Sequence, residues 1–420
     1  MMKVLFVSWG EVPRLSSVYG GQLVNIAKAV GENPEVDSAS LIAGMPLIHS
    51  GLVREKWRYR KQVKAISDLL GKEHFVRRFL LVPPVGIYPT KAQLPLFKFG
   101  QMGTMVSLLR NARPDILHCR SYLATYMAHE WRMASGLDYK IVFDSRSYMA
   151  DEAIQRGRWT EGSADHLFWR QTEAQMLQQS DAVTVVSEPM RQRFIGMGAH
   201  PDKVHLIHLN VDPPKAVPSV NEVQSVEDRG PLFCYCGYLD YKTWHHPNNI
   251  WRIFNQIAKL RADARLLVIT KSSHAMLKAD LIAKGYEKLM DRIEFTSAET
   301  SSDCVRIMQN CDAGLLAYLT PQTPLEFEMA KGVFATKTAE YLYAGIPVLV
   351  SGVCGGAADF VTTHDVGIAY DAEDQLKLAD IARLLTMKSE TARLTGLANE
   401  KFNVKRNAER LVSIYNKVLA

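Results

Sequence analysis

The stretch Ala335-Thr336-Lys337-Thr338-Ala339-Glu340-Tyr341-Leu342-Tyr343-Ala344-Gly345-Ile346-Pro347-Val348-Leu349-Val350 reads as a short helix, a stop and a buried strand. The Thr336 hydroxyl suits a helix N-cap. Gly345 suits the left-handed residue after the last turn, and Pro347 cannot continue a helix. Ile346 to Val350 is the apolar run of a strand in a parallel sheet. Lys337 falls in the first turn, where a cation opposes the helix dipole. The misfit is resolved if an anion such as phosphate sits beside the lysine and the free backbone N–H groups. Glu340, one turn deeper, then reaches a hydroxyl next to that phosphate, and a phosphate beside a diol suggests a nucleotide ribose. A solvated first turn with two ordinary surface charges is an equally open reading of these residues alone.

The chain of 420 residues is long for one core and fits two domains of about 200 residues each. With 47% apolar and 22% charged residues it has the composition of a globular protein. No run of about 18 apolar residues is present, so no membrane-spanning helix is expected. Met1 to Ser8 reads as a first strand rather than a signal peptide. The six cysteines are scattered, mostly in apolar runs, which points to a reduced, cytoplasmic protein without a zinc site. A net charge of +6 permits attraction to anionic partners without demanding it.

Alternating strand and helix signals run through both halves, the signature of two doubly wound α/β domains facing each other across a ligand cleft. Residues 1–212 form the first domain, the proline-rich stretch 213–230 a linker, and 231–399 the second domain. The strand Lys3 to Ser8 leads to Gly20-Gly21 and a helix, a geometry that lets backbone N–H groups approach phosphate, although a plain turn explains it too. Strands ending near Arg120 and Asp144 place Arg120 and Arg146 at the edge where such sheets bind ligands. Arg146 is open to a phosphate role or to an ion pair with Asp144 or Glu152, and His118 reads as a core histidine. Lys203 to Asp212 is the last strand of this half. In the second half, Gly237 closes the first strand, Lys242 follows it, and Lys271 lies just past the next strand.

The basic, aromatic-bearing segment 54–79 (Arg54, Lys56, Trp57, Arg58, Tyr59, Arg60, Lys61, Lys64, Arg77, Arg78) fits an amphipathic helix packed on its own sheet. It also fits peripheral contact with an anionic bilayer. No nucleic-acid recognition motif accompanies it.

Thr336-Lys337-x-x-Glu340-Tyr341-Leu342-x-x-Gly345-x-Pro347-Val348 resembles the P-T-K-x-x-E-Y-L-A-x-G-x-P-V signature of retaining glycosyltransferases of family 4, which have the GT-B fold. Ala335 stands where that signature has proline, and Gly332 where many members have a sugar-binding glutamate. The resemblance implies a nucleotide-sugar donor, a hydroxyl acceptor (glycan, lipid-linked or small molecule), no cofactor and no metal. The chain has no Asp-x-Asp pair, which fits the last point. It implies that Glu340 binds the donor ribose, that Lys337 lies near the diphosphate, and that Thr336 and Tyr341 belong to the donor site. The Gly20-Gly21 loop matches the family's phosphate-contacting loop, and Gly237 with Lys242 a second one, with Tyr238 replacing the usual arginine. Phe143-Asp144-x-Arg146-Ser147-x-x-x-Asp151-Glu152 resembles a stretch found in a subset of these enzymes.

The expected activity is hexosyl transfer with retention, in bacterial-type polysaccharide or glycoconjugate synthesis. Lys337, Lys242, Arg146 and Arg120 are its candidate catalytic cations. Gly20, Gly21, Gly237, Lys271, Thr336, Glu340 and Tyr341 are the candidate donor-binding residues. A C-terminal helix near 400–420 is expected to cross back to the first domain. A sugar-nucleotide epimerase of the same fold, or a non-catalytic nucleotide-sugar-binding protein, are the alternatives.

Overall fold

The computed structural model describes residues 1–15, 18–46, 54–71, 77–82, 87–98, 101–211, 229–241, 245–317, 321–370 and 376–420. The chain divides into two compact units, Met1–Asn210 with Val404–Ala420, and Val211–Asn403. Most of the expected linker, residues 213–228, lies outside the described residues, as does Lys242.

Among the described residues the first unit holds seven strands: β1 (Met2–Trp9), β2 (Val36–Pro46), β3 (Arg77–Val82), β4 (Ile116–Arg120), β5 (Lys140–Asp144), β6 (Ala182–Val185) and β7 (Val204–Leu206). Their spatial order is β3-β2-β1-β4-β5-β6-β7, every pair parallel. The near-continuous apolar runs follow from burial of both faces beneath helices. β7 is much shorter than the sequence suggests. Ile207 N–H still donates to the Val185 carbonyl of β6 (2.9 Å), and by Asn210 the backbone polar atoms are met by a side chain instead. The Gln22 side-chain carbonyl accepts from Asn210 N–H (2.8 Å), and Gln22 Nε2 donates to the Asn210 carbonyl (2.6 Å).

The second unit holds β8 (Leu232–Cys236), β9 (Arg265–Ile269), β10 (Ile293–Thr296), β11 (Ala313–Leu316), β12 (Val348–Ser351) and β13 (Gly367–Tyr370), in the order β10-β9-β8-β11-β12-β13, again all parallel. In each sheet the chain works outward in one direction and then crosses back. The order therefore reverses between β1 and β4 and between β8 and β11. Such reversals leave a crevice at the carboxyl ends of the strands, where open α/β sheets bind ligands.

The C-terminal segment is two helices. Thr391–Phe402 belongs to the second unit, and Asn403, with an extended ψ of 128°, breaks the pattern. Val404–Leu419 returns to the first unit. There Leu411, Val412, Ile414 and Tyr415 share a core with Ile26, Ala27 and Val30 of the helix Asn25–Gly31. This is the two-domain GT-B architecture with its returning C-terminal helix.

The helix Arg54–Leu70 packs Ile66 and Leu70 into the same core and leaves Arg60, Lys61 and Lys64 exposed. This is the packed-helix arrangement. The side chains of residues 54–59 lie outside the description. Among the described residues no helix is long and apolar enough to cross a membrane.

Candidate functional site

The helix Thr336–Tyr343 starts one residue earlier than a Thr336 cap would allow. Ala335, extended at φ −92° and ψ 132°, takes the N-cap position, and no side chain caps the helix. Thr336 is therefore the first helical residue, and the N-terminal N–H groups lack the hydroxyl partner expected of it. The helix ends as its sequence suggests: Gly345 is left-handed at φ 71°, and Ile346 N–H donates to the Tyr341 carbonyl at 3.1 Å. β12 follows, fully buried.

This helix is seated at the reversal between β8 and β11 by Tyr341. The ring lies flat against Gly314 of β11, where a Cβ would come within 2.4 Å of it. The buried hydroxyl donates to the Leu315 carbonyl (2.9 Å) and accepts from Cys236 N–H (3.2 Å). Tyr341 thus spends its polar atom on the two strands. Its side chain therefore holds the helix on β8 and β11. Replacing Tyr341 with phenylalanine leaves a buried N–H and a buried C=O with one partner fewer. The expected cost is about 1–3 kcal/mol, read as a lowered midpoint in urea unfolding.

Gly237 follows β8 with φ 135° and donates its N–H to the Ile269 carbonyl at 3.0 Å. That N–H is taken, so the glycine is not needed there to offer a donor. It is needed because the Lys337 side chain crosses it: a Cβ would lie 2.2 Å from Lys337 Cε and 2.7 Å from Nζ. The Lys337 ammonium lies 5.9 Å from the centroid of the Tyr235 ring, a loose cation–π approach. Lys337 and Glu340 are both half-buried, and neither makes a hydrogen bond or an ion pair among the described residues.

Burial pushes the Lys337 ammonium below the ordinary lysine value, with Glu340 pulling the other way. Burial pushes Glu340 upward, opposed by Lys337. His245 is pushed down to about 3 by burial and by Lys337, so it stays neutral. Cys236, raised by its hydrogen bond with Cys304, by burial and by Glu340, also stays neutral. Thr338, fully buried, has a hydroxyl without a hydrogen-bond partner among the described residues. The result is a cation and a carboxylate held at the carboxyl end of β8 among neutral groups. Each is partly desolvated and neither is spent on the other. A diphosphate beside Lys337 and a hydroxyl donor beside Glu340 would satisfy both.

The remaining sequence candidates fall differently. Lys271, just past β9, is exposed and turns to Glu299, with its Nζ 3.2 Å from both the carboxylate and the carbonyl of that residue. His245 and Cys304, which surround Lys337, carry no mark in the sequence. One follows residues 242–244, which lie outside the described residues, and the other lies on the helix Ser301–Met308.

In the first unit, Gly20 opens a π-helical turn, Gly20–Val24, that runs into Asn25–Gly31. Its N–H donates to the Arg14 carbonyl (3.1 Å), and a Cβ would stand 2.0 Å from the Leu15 carbonyl oxygen. Gly20 therefore lets the loop fold onto itself and does not present its N–H to a phosphate. Gly21 is half-buried with open space before it, its nearest neighbour being the Asn210 carbonyl at 3.9 Å from a built Cβ.

Arg120 is buried, with Nε 3.1 Å from each carboxylate oxygen of Glu11. Burial alone would lower its guanidinium, but Glu11 and then Asp144 outweigh that and raise it. Arg146 takes the ion-pair reading: its Nε donates to Asp144 Oδ2 at 2.9 Å and its Nη1 to Gln22 Oε1 at 3.3 Å. Asp144 also accepts from Thr184 (2.8 Å) and faces His118 at 3.5 Å. His118 is the core histidine expected, its Nδ1 2.8 Å from the Tyr415 hydroxyl of the returning helix. Glu152 accepts from Tyr88 (3.0 Å), and Asp151 pairs with Arg193. Both arginines thus pair with carboxylates, Arg120 through Nε alone, its buried Nη1 having no hydrogen-bond partner among the described residues.

Residues 61–215 match the family model described as Glycosyltransferase Family 4, and residues 230–387 the one described as Glycosyl transferases group 1. No curated protein matches the chain. Among solved structures, Anabaena HepE in complex with UDP superposes with a TM-score of 0.65 at 13% identity, covering 99% of this chain and 100% of that one. The lipopolysaccharide outer core galactosyltransferase WaaB, in its apo form, gives 0.64 at 14% identity, with 99% of each chain covered. The sucrose-phosphate synthase of Thermosynechococcus elongatus gives 0.65 at 14% identity, covering 100% of this chain and 99% of that one. At these identities the likeness is one of fold.

Proposed function

We propose that this chain, a GT-B glycosyltransferase with a family 4 region in its first half and a group 1 region in its second, transfers a hexose from a nucleotide sugar to a hydroxyl acceptor. It does so with retention of anomeric configuration and without a metal. The observation that carries the reading is the pair Lys337 and Glu340, half-buried at the strand-order reversal of the second sheet and without partners among the described residues. A solved protein of the same fold, Anabaena HepE, has been seen in complex with UDP and with UDP-glucose.

In this mechanism the barrier is largely the charge that develops on the departing nucleoside diphosphate. Lys337 stands where that charge appears, in a site kept otherwise neutral and partly dry, so its field is weakly screened. The uncapped N–H groups at Thr336 and Lys337 add their dipoles to the same phosphate. Glu340 accepts from the ribose hydroxyls and fixes the nucleotide in register. Lys242 is assigned a supporting role at the diphosphate. Arg120 and Arg146, paired with Glu11 and Asp144, shape the ends of β4 and β5 and are not assigned to the sugar. The exposed Arg60, Lys61 and Lys64 suit contact with an anionic bilayer, and polysaccharide or glycoconjugate synthesis would suit such a location.

The test incubates the protein with a nucleotide sugar, with and without a pool of hydroxyl acceptors, in chelator, and follows the anomeric protons by NMR. The reading expects acceptor-dependent release of nucleoside diphosphate and a product with the donor's anomeric configuration. Isomerised sugar nucleotide without acceptor would replace the reading with an epimerase. A second expectation concerns Glu340→Ala, which should weaken nucleoside diphosphate binding by at least about tenfold, or about 1.4 kcal/mol, by calorimetry. Unchanged affinity would remove Glu340 from the site.

A further inference from the structure

A cavity of ≈ 370 Å³ opens on the flank of the first unit, between the edge strand β7 and the returning helix Val404–Leu419. It stands two strands beyond β5, away from the reversal between β1 and β4. Its floor is apolar, from β7 and Ile414, and its walls carry Arg191, His205, Arg410, Ser413 and Lys417. No carboxylate lines it among the described residues. Arg410, Ser413 and Lys417 recur at helical spacing, so one helix face presents all three.

Two of the cations are held in place before anything binds. Arg191 donates from Nε to the Val204 carbonyl (3.0 Å) and from Nη1 to Glu188 (3.1 Å). Arg410 donates from Nη1 to Asn407 Oδ1 (2.8 Å). Lys417 makes no hydrogen bond or ion pair among the described residues. The positive field reaches His205: burial, then Lys417 and Arg191, hold it below the ordinary histidine value against a weaker pull from Asp202. Glu188 compensates Arg191 from outside the lining, while Lys417 has no carboxylate partner among the described residues, so the lining keeps an excess of positive charge that an entering anion would meet. Forked guanidinium groups match phosphate oxygens in geometry as well as charge. Arginines already fixed lose little freedom on binding, and the depression is open to solvent, which suits a small ligand held mainly by its phosphate.

We infer that this cavity binds a small phosphate-bearing ligand, with Arg191, Arg410 and Lys417 around the phosphate and the ligand's less polar body on the β7 floor. The test titrates inorganic pyrophosphate into the full chain and follows the His205 imidazole by NMR, assigned with His205→Gln. The expected result is a saturable shift that weakens about tenfold or more in Lys417→Glu, an exposed position where folding is not at stake. The shift should survive Lys337→Met, which separates this site from the proposed donor site. No shift in the wild type, or a shift indifferent to Lys417→Glu, would overturn the inference. Co-sedimentation with phosphatidylglycerol vesicles but not phosphatidylcholine vesicles, lost in Lys417→Glu and without any pyrophosphate shift, would overturn it in favour of a bilayer surface.

Discussion

Lys337→Met is expected to lower turnover about 10²–10³-fold while raising the melting temperature of the ligand-free protein. The two effects have one cause. In the free protein the ammonium lies across Gly237, partly out of water and without an ion-pair partner among the described residues. Burial already pulls its proton affinity down. Keeping a charge there costs stability. Methionine keeps an unbranched apolar stem and removes that cost. In the transition state the same charge faces the departing diphosphate, and removing a preorganised charge-stabilising group typically costs about 10²–10³ in rate. Turnover is measured with whichever nucleotide sugar the protein binds, and melting by calorimetry. A variant that is destabilised and still turns over normally would make Lys337 a structural lysine.

Asp144→Asn is expected to cost about 3–5 kcal/mol at neutral pH, the usual effect of leaving one partner of a buried ion pair uncompensated. Asp144 is fully buried at the end of β5. Burial by itself would raise its carboxyl, but Arg146 first, then His118 and Arg120, hold it well below the ordinary aspartate range. The sign follows from linkage. A carboxyl whose folded value is depressed contributes stability above its unfolded value, about 3.9, and loses it as the pH falls toward the folded value. The gap in unfolding free energy between wild type and Asp144→Asn should therefore be full at pH 7 and narrow below about pH 4. A gap that does not change with pH would mean that Asp144 acts through shape rather than charge.

What could be read from residue order was local punctuation and period. Gly345 and Pro347 end a helix by backbone conformation alone, and the strand after them is a plain apolar run, so both were legible. The doubly wound order was legible because strand and helix alternate through each half. Contacts between distant segments were not. Thr336 looks like a cap, but Ala335 is extended and takes that position, and Tyr341 of the same helix docks on Gly314, a contact that spacing does not announce. Gly237 looks like a backbone donor for a ligand, yet its N–H goes to Ile269 and its missing side chain makes room for Lys337. Arg120 and Lys271 sit at the right sheet edges but are taken by Glu11 and Glu299, residues that spacing does not tie to them. β7 ends at Leu206, and the Gln22 amide, far away in sequence, meets the backbone of Asn210 where the sequence suggests the strand would continue. The pair Lys337–Glu340 was legible because a cation in a first helical turn is a local anomaly, visible without any tertiary contact.

The most direct test is a thermal-shift panel of UDP, GDP and ADP, each with its sugar conjugates, on the wild type and on Glu340→Ala. The account predicts that at least one nucleoside diphosphate stabilises the wild type, and that the same compound stabilises Glu340→Ala much less. Stabilisation by none of them, or equal stabilisation of both proteins, would contradict the placement of a donor nucleotide beside Lys337 and Glu340.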